Sequence, residues 1–202
     1  MRHTSLAAFL AAASLLPGPA SLAAQAPPSP VRSDPTGFHV AGYLSGAGIV
    51  YEDDDEAESG PGAALALGWG ASRSVTLYLE GAGANVQMTD LDDTSTLAHV
   101  DLGVRIHFRG PQATALPYLT VGYSGRAAAL DLNGDPFTIS GAGPSFGGGL
   151  LVFLSRRAAL DFGLKWTTGK FTEAEYLGEK ADIDISATSA RFNIGLAWWA
   201  GR

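Results

Sequence analysis

The sequence predicts an all-β fold in which eight antiparallel strands close into an up-and-down barrel. Three observations predict it: apolar and polar residues alternate with period two from residue 38 onward, every second connection is long, and acidic residues concentrate in the long connections. Alternation with period two places successive side chains on opposite faces of a strand. The predicted strands have about ten residues, the length that a tilted strand needs to cross a membrane. We therefore expect a transmembrane barrel.

The composition limits the possible classes of function. The 202 residues suit one domain, and a hydrophobic fraction of 46% is sufficient for a packed fold. The formal charge of −7 argues against nucleic-acid binding, because that function needs a basic surface to meet phosphates. The chain has no cysteine, which excludes disulfides, cysteine-ligated zinc, a thiol nucleophile and a lipoprotein anchor.

The first 36 residues have the pattern of an export signal and a linker. Arg2 gives a positive start, residues 6–16 are apolar, and small residues follow at 21–24. We predict a signal peptide over residues 1–23, cleaved after Ala23; the alternative is a retained membrane anchor, although the apolar run is shorter than the ~20 residues of a spanning helix. Residues 24–36 are Pro-rich and predict an extended periplasmic lead-in. The barrel is expected over residues 37–202.

The clearest strand covers residues 97–108. One face carries only apolar residues, while the other carries His99, Asp101, Gly103, Arg105 and His107. Seven further segments start near residues 38, 63, 75, 118, 145, 159 and 190. The alternation leaves open which face points inward in the first, second and sixth strands.

The connections favour a membrane barrel over a soluble one. They cover residues 51–62, 71–74, 88–96, 109–117, 131–143, 155–158 and 170–188. The four long ones that begin at 51, 88, 131 and 170 hold 16 of the 20 acidic residues. The short turns and the C-terminus hold five arginines and no acid: Arg73, Arg109, Arg156, Arg157 and Arg202. Outer-membrane barrels have short periplasmic turns and long external loops, whereas a lipocalin-like barrel or a sandwich has no reason for this rhythm.

Aromatic residues give weaker support. Many lie near predicted strand ends, where girdles at the membrane interfaces would place them, although a soluble core remains an alternative. They are Tyr43, Tyr51, Trp69, Tyr78, Phe108, Tyr118, Phe153, Trp166, Phe171, Trp198 and Trp199.

The last predicted strand carries a second signal. Asn193 is followed by Gly195 two positions later and by Trp198 three further on. With this ending and its eight strands, the sequence resembles the small eight-stranded outer-membrane β-barrel proteins of Gram-negative bacteria, which include the OmpA transmembrane domain and the OmpX-like and OmpW-like proteins. The resemblance covers residues 37–202. It implies that these three residues form an assembly signal read by the barrel assembly machinery, although family members commonly end on an aromatic residue and this chain continues to Arg202.

If the apolar faces contact lipid, the polar faces line the lumen. An eight-stranded barrel is filled by side chains rather than open, and buried charges must be paired. The sequence therefore predicts a polar network that fills the lumen; a gated narrow pore is the alternative. Its members are His39, Glu80, His99, Asp101, Arg105, His107, Arg126, Asp161, Lys165, Arg191 and Asn193.

Catalytic and metal sites find little support. His99 and Asp101 share a face and could orient a general base, but no serine nucleophile is placed with them. His99 and His107 lie about 26 Å apart along one strand at ~3.3 Å per residue, too far to share an ion. The acidic run 52–58 lacks calcium-loop spacing, and we take it as a solvated loop that could bridge cations to lipopolysaccharide. No catalytic residue, metal or cofactor is predicted.

We therefore expect a porin-like, non-enzymatic integral protein of the outer membrane with a structural or surface-interaction role. The alternatives are a narrow channel for small solutes or hydrophobic molecules, an envelope lipid-modifying enzyme, and a soluble ligand-binding barrel. The expected partners are outer-membrane lipids, lipopolysaccharide and the assembly machinery, with no nucleic acid. The sequence leaves the oligomeric state unknown.

Overall fold

The computed structural model describes residues 33–52, 57–87, 94–108, 114–132 and 135–201. The predicted signal peptide and the lead-in up to residue 32 lie outside the described residues. The described residues contain no helix that is long and apolar enough to span a membrane.

Eight antiparallel strands form one closed barrel in simple sequence order, and β8 pairs with β1 to close it. This confirms the predicted fold class. The strands are β1 (Gly37–Tyr51), β2 (Glu58–Gly70), β3 (Val75–Gln87), β4 (Thr94–His107), β5 (Ala115–Leu132), β6 (Asp135–Phe153), β7 (Ala158–Tyr176) and β8 (Glu179–Trp199).

The period-two alternation divides each strand between an outer and an inner face. In β4, Val100 and Leu102 point outward, whereas Asp101 between them is completely buried. The outer face is apolar all round the barrel; Leu44 is 73% exposed, Leu65 69% and Leu102 67%. A soluble protein rarely exposes so large a continuous apolar surface, so this belt suits contact with lipid. The inward faces of β1, β2 and β6, which the sequence left open, carry His39, Ala64 and Ser145 respectively.

Both ends of the described chain lie at the same end of the barrel, here called the terminal end. The amide of Asp34 donates to the carbonyl of Arg156 (2.9 Å), and the amide of Gly201 donates to the carbonyl of Thr36 (3.1 Å). The side chain of Arg73 lies 3.8 Å from that of Asp34. The connections 71–74, 108–114 and 154–157 share this end. The opposite end, here called the loop end, carries the hairpins β1–β2, β3–β4, β5–β6 and β7–β8.

The predicted rhythm of short and long connections is wrong. Residues 131–143 and 170–188 are mostly strand, and they leave connections of only residues 133–134 and 177–178, whereas the terminal-end connection 108–114 is longer than either. The strands have 13 to 21 residues rather than about ten. Two bulges, between Ser140 and Gly141 and between Phe171 and Glu173, shift the alternation. A shift of one residue exchanges the two faces of a strand. The bulges therefore interrupt the period-two alternation of β6 and β7 at the point where these strands extend beyond their predicted ends.

The β7–β8 hairpin turns through two residues. Leu177 and Gly178 have φ values of 51° and 83°, and Tyr176 pairs with Glu179 across the turn. Two positive φ values are the requirement of a type I′ turn, whose twist matches that of the flanking strands. Leucine is rare in this conformation, so the sequence gives no ordinary turn signal here.

Only part of the aromatic residues assigned to interface girdles lie on the outer face of the barrel, where such girdles would have to be. Trp69, Phe108, Trp166 and Trp198 are exposed on the outer face or its rim. The others that the structure buries inside the barrel are Tyr43, Tyr78, Tyr118, Phe153, Phe171 and Trp199. Proximity to a strand end does not determine the face; the parity of the position along the strand does.

Inward tyrosines lie against inward glycines on neighbouring strands. Tyr43 pairs with Gly195, and a Cβ atom on that glycine would lie 2.7 Å from the tyrosine ring and 2.0 Å from the carbonyl oxygen of Gly42. Tyr118 pairs in the same way with Gly149, where a Cβ atom would lie 2.5 Å from the tyrosine hydroxyl. The glycines thus provide the space that large side chains need in a narrow lumen.

Candidate functional site

The lumen collects the polar side chains of the molecule. All eleven residues named from the sequence as lumen residues are buried, with an exposure of 7% or less, and they come from six strands. They form one cluster of four charged residues, a second cluster around a single carboxylate, and several separate side chains.

The first cluster, here called the four-residue cluster, joins β3, β4, β7 and β8. Lys165 Nζ lies 2.8 Å from Glu80 Oε1 and 3.7 Å from Asp101 Oδ2. Arg191 Nη1 lies 3.4 Å from Glu80 Oε1, and its Nη2 donates a hydrogen bond to Asp101 Oδ2. Each cation therefore contacts both carboxylates. Buried charges are tolerated when they are paired and hydrogen-bonded in this way.

The second cluster centres on Asp161. Its Oδ2 accepts hydrogen bonds from Arg105 Nη1 and from the Tyr43 hydroxyl, each at 2.9 Å. Its Oδ1 accepts a hydrogen bond from the Tyr118 hydroxyl at 2.7 Å, and the Arg105 guanidinium lies 4.1 Å from the centre of that tyrosine ring. A carboxylate with a guanidinium and two hydroxyl donors is well satisfied. This cluster ties together β1, β4, β5 and β7.

Sequence reasoning missed Tyr43 and Tyr118 as members of the network. A signal was present for Tyr118, because it lies an even number of residues before Arg126 on β5 and so shares its inward face. No such signal existed for Tyr43, since the face of β1 was open. Tyr78 was missed as well, and its ring centre lies 4.8 Å from Lys165 Nζ.

Arg126 lies apart from both clusters. Its Nη1 donates to the carbonyl oxygen of Ala187 at 3.1 Å, and its Cζ lies 4.9 Å from the centre of the Phe171 ring. Its side chain therefore reaches across the lumen from β5 towards β7 and β8. Among the described residues it forms no ion pair with a carboxylate.

The three buried histidines are dispersed. His39 packs on Trp199 with ring centres 4.7 Å apart, and His107 faces the edge of Tyr118 at 6.4 Å. His99 Nδ1 lies 3.4 Å from Ser124 Oγ. Over the part of the chain that the structure describes, no three histidine, cysteine or acidic residues are grouped as a metal site requires.

Two apolar clusters lie on either side of the charged residues along the barrel. The terminal-end cluster includes Leu116, Leu151, Phe153 and Trp199. The loop-end cluster includes Ile49, Val86, Leu97, Ile139 and Phe171. A path along the barrel axis through the described residues therefore meets apolar packing, then paired charges, then apolar packing.

The residues of the predicted assembly signal occupy distinct positions on β8. Asn193 is buried in the lumen between Ser45 and Gly163 on the adjacent strands. Gly195 is the glycine that accommodates Tyr43. Trp198 is 45% exposed on the outer face near the terminal end. Their proposed recognition by the assembly machinery remains a prediction.

The second candidate region is a sheet that rises above the rest of the loop end, here called the raised sheet. It consists of residues 130–132, 135–140, 171–176 and 179–186 of β5 to β8. The partner strands stop lower: β1 pairs with β8 only as far as Ala187, and β4 pairs with β5 only as far as Ala129. The amide of Glu52 still donates to the carbonyl of Ser186 (3.0 Å). Residues 179–185 of β8 therefore form an edge without a strand partner among the described residues.

The raised sheet is acidic. It contains seven acidic residues and one lysine. Lys180 Nζ lies 2.7 Å from Glu173 Oε1, and Lys170, just below the sheet, lies 2.7 Å from Asp184 Oδ1. The hydrogen bonds to Asp184 and Glu173 raise the pKa of Lys170 and Lys180 respectively. Because the side chains of Lys170, Lys180 and Asp184 are more than half exposed, these ion pairs add little stability, and the surface keeps its negative character.

Comparisons with known proteins agree with this architecture. The family model for the outer membrane protein beta-barrel domain matches residues 7–198. Neisserial surface protein A is similar in structure, with a TM-score of 0.65 at 15% identity over 81% of this chain and 97% of that chain. OprG from Pseudomonas aeruginosa gives 0.55 at 10% identity over 83% and 98%. Ail, the attachment invasion locus protein of Yersinia pestis, gives 0.51 at 10% identity over 81% and 99%.

No sequence among the curated proteins matches this chain. Similarity to the solved structures at such low identity concerns the fold alone, whereas the family match covers nearly the whole sequence. Together with the closed eight-stranded barrel and its apolar outer belt, that match assigns the chain to the outer membrane β-barrel protein family, as an integral protein of the outer membrane.

Proposed function

We propose that this protein is a non-enzymatic surface protein, in which a closed barrel anchors the raised sheet outside the cell. Two features of the described residues support the proposal: the lumen contains paired charges between two apolar clusters, and the loop end carries an acidic strand edge that has no partner among these residues. The terminal end would face the periplasm and the loop end the exterior, as in other outer-membrane barrels.

The packing of the lumen supports an anchor rather than an open channel. Within each of the two charged clusters the cations pair with the carboxylates, and an apolar cluster lies on either side of them along the barrel. Eight strands enclose a space that side chains fill. Passage of a hydrated solute would require it to displace Phe171 and Leu97 at one end and Phe153 and Trp199 at the other.

The edge of β8 supports a role in surface interaction. An unpaired strand edge offers its backbone hydrogen-bonding groups to a further strand. Asp182 and Asp184 lie on this edge, and Glu179 begins it. The chemistry therefore fits an extended, basic segment of a partner protein better than an acidic one.

Conductance measurements test the closed lumen. The purified full chain, reconstituted in planar bilayers, should give no steady current, because no continuous water path crosses the apolar clusters. Steady, voltage-independent currents from the wild-type chain would favour the alternative of a narrow channel. Phe153→Ala and Leu154→Ala form a matched pair, because Phe153 is buried in the terminal-end cluster whereas Leu154 is 57% exposed; we expect only the first to increase leakage.

Binding of a synthetic peptide tests the edge. A peptide of alternating lysine and valine should bind the wild-type protein and lose most of its affinity for the double variant Glu179→Lys, Asp182→Lys. A matched control is Asp34→Lys at the terminal end, which should leave binding unchanged. Equal affinity for all three proteins would argue against recognition by the edge.

Unaltered lipid A acylation on expression would agree with the absence of the lipid-modifying activity kept as an alternative.

A further inference from the structure

One buried cation of the lumen has no compensating carboxylate among the residues that the structure describes. Among the described lumen residues, Arg105 pairs with Asp161, and Lys165 and Arg191 share Glu80 and Asp101. Arg126 is 3% exposed and has no carboxylate within ion-pair distance among the described residues. A buried charge without a counter-charge is strongly unfavourable. An anion bound next to Arg126 would remove this unfavourable energy.

The contacts of Arg126 orient its guanidinium and leave one edge free. Nη1 donates a hydrogen bond to the carbonyl oxygen of Ala187, and the guanidinium packs over the ring of Phe171. Nε and Nη2 have no hydrogen-bond partner within the described part of the chain. These two nitrogens form the edge that donates two parallel hydrogen bonds to a carboxylate or phosphate. The residue is therefore held from two sides with its anion-binding fork open.

The strand pairing places Arg126 in the loop-end half of the barrel, just below Leu97 and Ala128 of the loop-end cluster. Arg126 lies three residues from Ala129, where pairing of β5 with β4 ends at the loop end, and eight from Tyr118 towards the other end. His99 is its partner on β4 and points to the same inward face. The Nε2 atom of His99 has no hydrogen-bond partner among the described residues. A second polar ring therefore lies next to Arg126.

We propose that Arg126 binds the carboxylate or phosphate group of a small anionic solute, which reaches it from the loop end when side chains of the loop-end cluster move aside. The Nε and Nη2 atoms donate two hydrogen bonds to the oxyanion, and Ala187 and Phe171 hold the guanidinium in position. The bound group neutralises the unpaired charge and stabilises the loop end of the barrel. This inference does not depend on the edge of β8 or on the conductance of the lumen.

The test uses inorganic phosphate as the probe on the full chain in detergent micelles. Phosphate and chloride are compared at equal ionic strength and pH. We expect phosphate to shift the Nε–Hε resonance of Arg126 saturably and to raise the thermal midpoint by at least about 2 °C, since a ligand that binds only the folded state stabilises it. Acetate should act in the same way.

Three variants make the result specific. Arg126→Gln removes the charge and the fork, and Arg126→Lys keeps the charge without the fork; both should lose the phosphate response. Arg73→Gln, at the exposed terminal end, should retain it. If the wild-type resonance does not respond, or is already protected without any added oxyanion because a carboxylate of the chain holds it, the proposal is wrong. An equal thermal response in the wild type and Arg126→Lys would also overturn it. The resonance test needs no variant, so it decides the question even if a variant fails to fold.

Discussion

Asp161 joins several strands of the barrel through one buried side chain. It accepts hydrogen bonds from one guanidinium and two tyrosine hydroxyls that come from three other strands. Such a residue links distant parts of the wall through one buried charge. Its contribution can be measured because its partners are few and well defined.

We predict that Asp161→Asn lowers the free energy of unfolding by about 3–5 kcal/mol, the usual cost of removing one partner of a buried ion pair. The variant leaves the Arg105 guanidinium buried without its carboxylate. Urea unfolding in lipid vesicles, followed by tryptophan fluorescence, measures the loss.

A second variant separates the ion pair from the packing. The double substitution Asp161→Leu, Arg105→Met removes both charges, and we expect it to be more stable than Asp161→Asn, since an apolar pair leaves no uncompensated ion. If the double variant were the less stable of the two, the ion pair itself would not be the origin of the effect.

Gly195 provides a steric prediction. A Cβ atom there would lie 2.0 Å from the carbonyl oxygen of Gly42, whereas a Cβ atom at the outward Gly81 would meet nothing within 4 Å. We expect Gly195→Ala to cost roughly 1–3 kcal/mol through overpacking and Gly81→Ala to be nearly neutral. Thermal unfolding of both variants in one detergent makes the comparison, and equal midpoints would contradict it.

Most single residues of the lumen were predictable, and the reason is parity. Once residues 97–108 had one apolar and one polar face, the inward position of His99, Asp101 and Arg105 followed. Which acid pairs with which base was not predictable, because the pairing depends on the stagger between strands. Lys165 contacts Glu80 because of the register of all eight strands in the closed barrel. A local sequence pattern carries no information about that register.

The β7–β8 hairpin is the element on which sequence and structure differ most. Its upper part was predicted as a loop because it is highly charged, contains a bulge after Phe171 and turns through an untypical leucine. For β5–β6, by contrast, a signal existed: Asn133 and Gly134, which lie outside the described residues, form a dipeptide that favours two-residue hairpin turns.

The ion pairs of this hairpin predict the titration of its lysines. Hydrogen bonds to carboxylates raise the pKa of Lys170 and Lys180. A raised pKa in the folded state means that the pairs stabilise the hairpin below the ordinary lysine pKa of about 10.4, and that this contribution is lost as the pH rises through the raised value. Titration followed by the Cε chemical shifts should give midpoints above 10.4 for both lysines.

Asp184→Asn is the control for that titration. It should return the pKa of Lys170 towards its ordinary value and leave that of Lys180 unchanged, because Lys180 contacts Glu173 and Glu175 instead. A shift of both lysines would mean that the general negative potential of the raised sheet, rather than the two pairs, sets the titration.

At the scale of the whole molecule, the closed barrel and its apolar belt predict the behaviour of the purified protein. The outer surface suits detergent, and below the raised sheet the strands form a closed ring, so we expect the fold to survive in mild detergent at room temperature. The intact mass of the mature protein should place its N-terminus at Ala24. On a denaturing gel, unheated and boiled samples should migrate differently. A single band at both temperatures would contradict a resistant barrel.

The overall architecture was predictable because it rests on features repeated eight times, so that errors in single strands cancel. The length of the strands at the loop end was not predictable. It depends on how far strand pairing continues above the membrane. Both faces of a strand are solvated there, so apolar and polar residues no longer alternate. The raised sheet is therefore a feature that only the three-dimensional structure reveals.

The pairing of β1 with β8 has a consequence for the order of events in the life of the chain. His39 pairs with Trp199, so β1 has no partner on one side until β8 has been exported. Contacts so distant in sequence form slowly, and a partly exported barrel exposes unpaired strand edges that favour association with other chains in the periplasm. The ring can therefore close only after β8 has arrived, and until then the barrel segment has to be kept unfolded and protected.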